Sequence, residues 1–196
     1  TADARLSKTM IFRDIFRTGL LQIKLKQDLP KIKKFCLNYA KENESRQRSN
    51  PTGYQSGDVR DYLKGTSLIN NIKKYSTVYL TQILSCNDTP DLNHMWFNIN
   101  YYKDYNDTHS HPFNKLAGVF YVSCPKNSGR IVFKNPSQLD AYYKVHDQGK
   151  FTEYNSASWF VPAEENMLYI FPAWLYHKVE PNLSKEPRIS FSFNVN

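Results

Sequence analysis

Cysteine is scarce in this sequence, and long apolar runs are missing from it. The cysteines are three, Cys36, Cys86 and Cys124, and none belongs to a C-x-x-C pair, which argues against a disulfide framework and a structural zinc site. No run approaches the roughly 18 consecutive apolar residues of a membrane-spanning helix. The first residues also lack the basic, apolar and small-residue order of a signal peptide. We therefore expect a soluble protein of the reducing cytoplasm, with no membrane partner.

The composition predicts one folded domain that spans residues 1–196. With 40% hydrophobic and 15% aromatic residues, the chain is typical of a sheet-rich globular protein and unlike a disordered one. The formal net charge is +8, and part of the excess is a group of lysines early in the chain. These are Lys24, Lys26, Lys31, Lys33, Lys34 and Lys41. Such a group is more often a solvated helix face than a nucleic-acid footprint, so a nucleic-acid partner is not favoured. The composition does not indicate an oligomeric state.

Two amphipathic helices are predicted in the N-terminal region, residues 1–90. Asp28-Leu29-Pro30 is typical of a capped helix start with an early proline, and the helix should end near Asn43. A second helix should run towards Leu84. The apolar residues at one-face spacing are Ile32, Phe35, Cys36 and Tyr39 in the first helix and Leu68, Ile72, Tyr75 and Tyr79 in the second. Both helices should pack on a sheet.

The remainder of the chain, residues 95–196, shows the two-residue alternation of β-strands. Strands are predicted over 95–102, 116–123, 130–133, 167–171, 176–180 and 188–195. A turn at 125–129 suggests that the second and third of these form a hairpin. Residues 135–158 are less regular and are interpreted as a loop over a barrel mouth. The number and length of the strands favour a sandwich or barrel.

Three histidines have a spacing that suits a metal. His109 and His111 are two residues apart, so on an extended segment both side chains project to the same side. His177, from a distant strand, is the candidate third ligand for iron, copper, nickel or zinc. His94 and His146 have no partner at an informative spacing and are interpreted as ordinary core or surface residues.

The order of these motifs resembles the iron(II)/2-oxoglutarate-dependent oxygenases over residues 95–196. The segments that carry this resemblance are His109-Ser110-His111, 128–133, Phe171-Pro172, His177 and Arg188-Ile189-Ser190. Further segments resemble a small group of bacterial and phage members of that family, namely 50–56, 106–112, 118–122, 174–177 and 180–182.

This resemblance implies a fold, a site and an activity. The fold would be mainly β, a double-stranded β-helix (a cupin-like jelly roll) with the N-terminal helices on one sheet. His109, His111 and His177 would hold iron(II), and 2-oxoglutarate and O2 would be co-substrates. Decarboxylation of 2-oxoglutarate would be coupled to the oxidation, normally a hydroxylation, of an unidentified substrate, either a protein side chain or a small molecule.

The same resemblance implies which residues bind 2-oxoglutarate. Arg188 would bind its far carboxylate, because a guanidinium matches that anion with two parallel hydrogen bonds. Ser190 shares the polar strand face of Arg188 and would donate beside it. Tyr121 matches a tyrosine that binds 2-oxoglutarate in prolyl-hydroxylase-like members, although a buried aromatic of the barrel interior is an equally good interpretation.

One departure from the family pattern leaves alternatives open. The usual motif is His-x-Asp, and this chain has His111 where the aspartate belongs. We prefer His111 as a ligand over Asp107 or Asp104, because its spacing from His109 reproduces the motif. Two other functions also stay open. One is a three-histidine cupin-like enzyme that does not use 2-oxoglutarate, and the other is a non-catalytic jelly-roll module that binds nucleic acid or glycan.

Overall fold

Two antiparallel β-sheets form the framework of the protein. The structure is a computed structural model that describes residues 11, 13–46, 48–137 and 151–196. The strands of this part are β1 (Leu21–Lys24), β2 (Tyr54–Gln55), β3 (Leu92–Asn100), β4 (Asn106–His109), β5 (Leu116–Ser123), β6 (Ile131–Lys134), β7 (Ser158–Val161), β8 (Met167–Pro172), β9 (His177–Val179) and β10 (Arg188–Val195). The major sheet has the order β1-β8-β5-β10-β3-β2, and the minor sheet has the order β4-β9-β6-β7. This arrangement confirms the predicted double-stranded β-helix.

The two predicted helices are both present and cover one face of the major sheet. Helix α1 (Leu29–Glu42) begins after Asp28, whose side chain accepts a hydrogen bond from the backbone N–H of Lys31, and α2 (Ser67–Gln82) begins after a capping Thr66. Both N-caps satisfy backbone donors that would otherwise lack partners. Neither helix has the length and apolar character that spanning a bilayer requires, within the part of the chain that the structure describes.

Alternation along β10 separates the two layers of the core. Ile189, Phe191, Phe193 and Val195 are buried under the helices in one apolar cluster. The opposite face of the major sheet packs on the minor sheet in a second cluster, which includes Tyr121, Tyr169 and Phe171. The polar residues of β10 therefore lie on the side of the second cluster, between the sheets.

Two details of the chain differ from the sequence-based expectations, and a third lies partly outside the described residues. The predicted hairpin between residues 116–123 and 130–133 is wrong, because β5 pairs with β8 and β10 while β6 pairs with β7 and β9. The region 1–90 contributes two strands to the major sheet besides its helices. The predicted loop at 135–158 ends at the start of β7, and its residues 138–150, with His146, lie outside the described residues.

Candidate active site

The three predicted histidines lie together at one end of the minor sheet. Strands β4 and β9 pair so that His109 and His177 are directly opposite each other. His111 comes two residues after the end of β4, and its backbone N–H donates to the carbonyl oxygen of Ala173 at 2.8 Å. This bond ties the segment after β4 to the end of β8, and so fixes the position of His111.

The imidazole rings are close enough to share one ion. The ring centroids of His109 and His177 are 4.4 Å apart, those of His109 and His111 5.0 Å, and those of His111 and His177 5.2 Å. One ring nitrogen from each of these residues lies within 4.8 Å of the other two. These three residues are called the histidine group below.

Backbone carbonyls orient two of the three rings. The Nδ1 atom of His109 lies 2.6 Å from the carbonyl oxygen of Asp107, and that of His177 lies 2.9 Å from the carbonyl oxygen of Leu175. A carbonyl oxygen only accepts, so each Nδ1 must carry the proton. The Nε2 atom then keeps its lone pair, which is the arrangement usual for a metal ligand.

The histidine group is neutral near pH 7. Burial lowers the pKa of His111 and of His177 to about 3, and in both residues the neighbouring His109 lowers it further. Burial also lowers the pKa of His109, although its contact with the Asp107 carbonyl opposes that effect. Neutral imidazole is the form that binds metals, so no ring has to lose a proton before it binds.

The structure assigns neither candidate carboxylate to the histidine group. Asp104 is buried, and its Oδ2 accepts a hydrogen bond from the backbone N–H of Tyr101 at 2.7 Å. Asp107 is exposed and contacts His109 through its carbonyl oxygen. Among the described residues, the group within ligand distance consists of His109, His111 and His177 alone.

Arg188 is a buried cation at the start of β10, with one end unpartnered. Its side chain is 1% exposed, and its Nη1 donates to the carbonyl oxygens of Ser128 and Glu180. Its Nη2 has no hydrogen-bond partner, and no carboxylate pairs with the guanidinium within the described ranges. A buried donor without a partner costs about 1–3 kcal/mol, and more when it is charged. The free Nη2 is therefore suited to an anionic ligand.

Tyr121 and Ser190 line a cavity beside the histidine group. The two residues are directly opposite each other in the pairing of β5 with β10, and both line a cavity that the three imidazoles also line. The buried hydroxyl group of Tyr121 has no partner in the described part of the chain, and the charge of Arg188 acts on it. The cavity has a volume of about 30 Å³, so we expect its side chains to move when a dicarboxylate binds.

Trp96 also lines this cavity, although its sequence context did not predict a place in the site. Its ring centroid is 5.8 Å from that of His111, and its buried Nε1 has no partner among the described residues. The only signal for it was its place in β3, on the face opposite to Met95 and Phe97.

Comparisons with known proteins agree with this geometry. The family model described as "Putative 2OG-Fe(II) oxygenase" matches residues 94–194, which include the histidine group and Arg188. No curated protein matches the chain in the sequence search. Members of the matching family use iron(II), 2-oxoglutarate and O2.

Solved structures resemble the fold at low sequence identity. The epimerase SnoN of nogalamycin biosynthesis is 17% identical over 91% of this chain and 78% of its own, with a TM-score of 0.64. A Pseudomonas putida prolyl-4-hydroxylase is 13% identical over 91% of this chain and 92% of its own, with a TM-score of 0.61. The viral collagen prolyl hydroxylase of Paramecium Bursaria Chlorella virus-1 is 11% identical over 90% of this chain and 94% of its own, with a TM-score of 0.58. These structures support the fold, and the matched family model, which covers more than half of the chain, shows that the protein belongs to the 2OG-Fe(II) oxygenase family.

Proposed function

We propose that the protein is a hydroxylase that couples decarboxylation of 2-oxoglutarate to oxidation of a substrate carbon. In this proposal the histidine group holds iron(II), and Arg188, Tyr121 and Ser190 hold 2-oxoglutarate. The observation that carries it is the convergence of three imidazoles on a cavity that Tyr121 also lines. Among the described residues, the buried hydroxyl group of Tyr121 and the Nη2 atom of Arg188, whose charge acts on that hydroxyl, have no partner. Bound iron(II) supplies the redox chemistry that activates O2 with electrons from 2-oxoglutarate.

The histidine group fits iron(II) by its chemistry. Imidazole nitrogen is a good ligand for this ion, and three ligands on one face leave positions open for 2-oxoglutarate and O2. Because no carboxylate belongs to the group, the ligands do not reduce the charge of the bound ion. We therefore expect the site to favour an anionic co-substrate more strongly than a face that contains an aspartate.

Arg188 fits one carboxylate of 2-oxoglutarate. Its Nη1 is fixed by the carbonyl oxygens of Ser128 and Glu180, so the free Nη2 is held in a defined direction. Two neighbouring hydroxyl groups, on Tyr121 and Ser190, can donate to the same anion. These donors would orient 2-oxoglutarate, while the opposite end of the molecule reaches the histidine group.

Hydroxylation is the proposed outcome because it is the usual result of this chemistry at an unactivated carbon. Solved proteins with this fold include prolyl hydroxylases, but also an epimerase and a carbocyclase. The fold therefore does not specify the reaction, and the substrate must be identified separately.

Anaerobic titration with iron(II) and 2-oxoglutarate tests the proposal. We expect the metal-to-ligand charge-transfer absorption of a 2-oxoglutarate chelate, because the co-substrate must bind through its 2-oxo and carboxylate oxygens. Folded protein that binds iron(II) but gives no such band would contradict the proposal, and would favour a three-histidine enzyme that does not use 2-oxoglutarate.

Tyr121→Phe should separate the role of its hydroxyl group from that of its ring. The hydroxyl is buried without a partner, so its removal should leave the free energy of unfolding unchanged or slightly increased. Loss of one hydrogen bond to the co-substrate should weaken 2-oxoglutarate binding about 3- to 10-fold. Chemical denaturation and the charge-transfer titration measure the two effects. Lower stability with unchanged 2-oxoglutarate affinity would instead make Tyr121 a purely structural residue.

A further inference from the structure

A second and larger space opens beside the histidine group. It has a volume of about 660 Å³, and it shares Trp96, His109 and His111 with the smaller cavity described above. Ligand pockets of proteins typically measure about 300–1,000 Å³. A molecule in this space, called the Arg46–Arg48 groove below, would therefore contact the side chains at which oxidation is proposed to occur.

Two arginines give the groove a positive charge that is not neutralised. Arg46 and Arg48 both line it, and neither forms an ion pair in the part of the chain that the structure describes. The acidic group of the lining, Asp58, is engaged by Arg60 through contacts of 2.8 and 2.7 Å. Burial lowers the pKa of His94, which also lines the groove, and the arginine charges lower it further against the opposing effect of Asp58. The imidazole of His94 is thus neutral, and two positive charges remain free.

The chain is anchored at Arg46 and at Ser49, next to Arg48. The backbone N–H of Arg46 donates to the carbonyl oxygen of Gln55 at 2.8 Å, and the carbonyl oxygen of Ser49 accepts from the N–H of Asp107 at 2.8 Å. The guanidinium group of Arg46 lies over Gly57, where an added Cβ would be 3.3 Å from its Nε. These contacts fix the backbone at Arg46 and at Ser49 beside the groove, and they place the guanidinium group of Arg46 against its wall.

Several side chains that line the groove also have a buried polar atom without a partner among the described residues. Within the described ranges, four side chains of its lining have such an atom, namely Gln55 (Oε1), Asn93 (Oδ1), Trp96 (Nε1) and Asn194 (Oδ1). Gln55 and Trp96 are only 5% and 6% exposed. Each unpartnered buried atom costs about 1–3 kcal/mol, so a ligand that reached these side chains would gain by hydrogen-bonding with them.

We propose that the Arg46–Arg48 groove binds the substrate, and that the substrate is a polar small molecule with a phosphate or carboxylate group held by the two arginines. The proposal rests on the proposed function, since it assigns the molecule to be oxidised at the neighbouring histidine group. The arginines bind the anionic end, and the amide oxygens and the indole N–H bind the polar body. A carbon of that body then lies beside His109 and His111.

Three sugars that differ in one group test this inference. Glucose 6-phosphate, glucuronate and glucose share a polar ring and carry a phosphate, a carboxylate and a neutral hydroxyl group. Calorimetric titrations use anaerobic protein loaded with iron(II) and saturated with 2-oxoglutarate, so that the site around Arg188 is filled. We expect one or both anions to bind and glucose not to bind. The anion that binds more tightly shows whether the charged group of the substrate is a phosphate or a carboxylate.

Removal of the two arginines supplies the matched comparison. Arg46→Ala/Arg48→Ala should weaken the binding of the anion at least tenfold. Lys34→Ala/Lys73→Ala removes the same charge from exposed positions on α1 and α2 and should leave the binding unchanged. The inference is overturned if neither anion binds, if glucose binds equally well, or if the two double variants behave alike.

The charge-transfer band of the same samples separates this inference from the proposed function. A normal band without anion binding rejects the groove as a site for anions and leaves the oxygenase proposal intact. Arginine-dependent anion binding without a band supports the anion site and rejects the proposed use of 2-oxoglutarate. Arg46→Ala/Arg48→Ala should keep the band, because neither arginine belongs to the histidine group or to the residues proposed to hold 2-oxoglutarate.

Discussion

His177→Ala is expected to abolish iron(II) binding and, with it, the charge-transfer band of the 2-oxoglutarate chelate. The side chain supplies one of three nitrogens of the histidine group, and its Nε2 is directed by the Nδ1–H contact to the carbonyl of Leu175. Losing a hydrogen-bond partner behind a metal ligand typically weakens affinity about 10- to 100-fold. Loss of the ligand itself should weaken metal affinity further, so we expect iron(II) affinity to decrease more than about 100-fold.

A second histidine provides the control for this experiment. His94 pairs with Asp58 and lies outside the histidine group, so His94→Ala should retain iron(II) affinity and the band. Because His177 packs against Phe133 and Phe171, thermal unfolding of His177→Ala must show that the fold survives. A folded His177→Ala variant with unchanged iron(II) affinity would reject the histidine group as the metal site.

The elements with a strong periodic pattern were predictable from the sequence. β10 alternates between Ile189, Phe191, Phe193 and Val195 on the helix side and polar residues on the other, and the structure places those four in one cluster. Helix α1 has an N-cap and an amphipathic face in the sequence, and both are present. In these segments local preference and tertiary burial agree, so the pattern alone determines the element.

Three of the strands that were missed, β2, β4 and β7, lack such a pattern. β4 has the sequence Asn-Asp-Thr-His and contains no apolar residue, β2 has only two residues, and three of the four residues of β7 are exposed. The wrong hairpin has a related cause. A turn at 125–129 suggests local pairing, yet β5 pairs with β8 and β10, which lie far away in the sequence. Such long-range register depends on packing between the sheets and is not encoded in a short window.

The site was predictable only where its residues belong to a motif. The spacing of His109 and His111 identified two members of the histidine group, and the resemblance to a family supplied Arg188. The structure adds that Nη2 of Arg188 has no partner among the described residues and that His177 lies opposite His109. Arg46 and Arg48 escaped notice because they lie in a loop without periodicity, and only the folded chain brings them to the groove.

Arg188→Met should weaken 2-oxoglutarate binding about 10- to 100-fold while iron(II) affinity changes little, since a hydrogen bond to a charged group contributes about 1.5–3 kcal/mol. Methionine retains much of the buried volume but has no donor for the co-substrate. The charge-transfer titration measures both affinities, because iron(II) and 2-oxoglutarate can be varied separately. Arg188→Lys should recover only part of the lost 2-oxoglutarate affinity. A guanidinium group can donate to the Ser128 carbonyl and to a carboxylate at the same time, and the compact ammonium group of lysine does not reproduce that geometry.

Arg188 also contributes to the fold, and the control must account for that role. Its Nη1 bonds to the carbonyl oxygens of Ser128 and Glu180, so thermal unfolding should show reduced stability in Arg188→Met. Arg130→Met removes an exposed cation paired with Glu180 at the neighbouring chain segment, and it should leave 2-oxoglutarate affinity unchanged. Equal 2-oxoglutarate affinities in folded Arg188→Met and Arg130→Met would show that the buried guanidinium serves the fold alone, and the carboxylate would then have to bind elsewhere in the site.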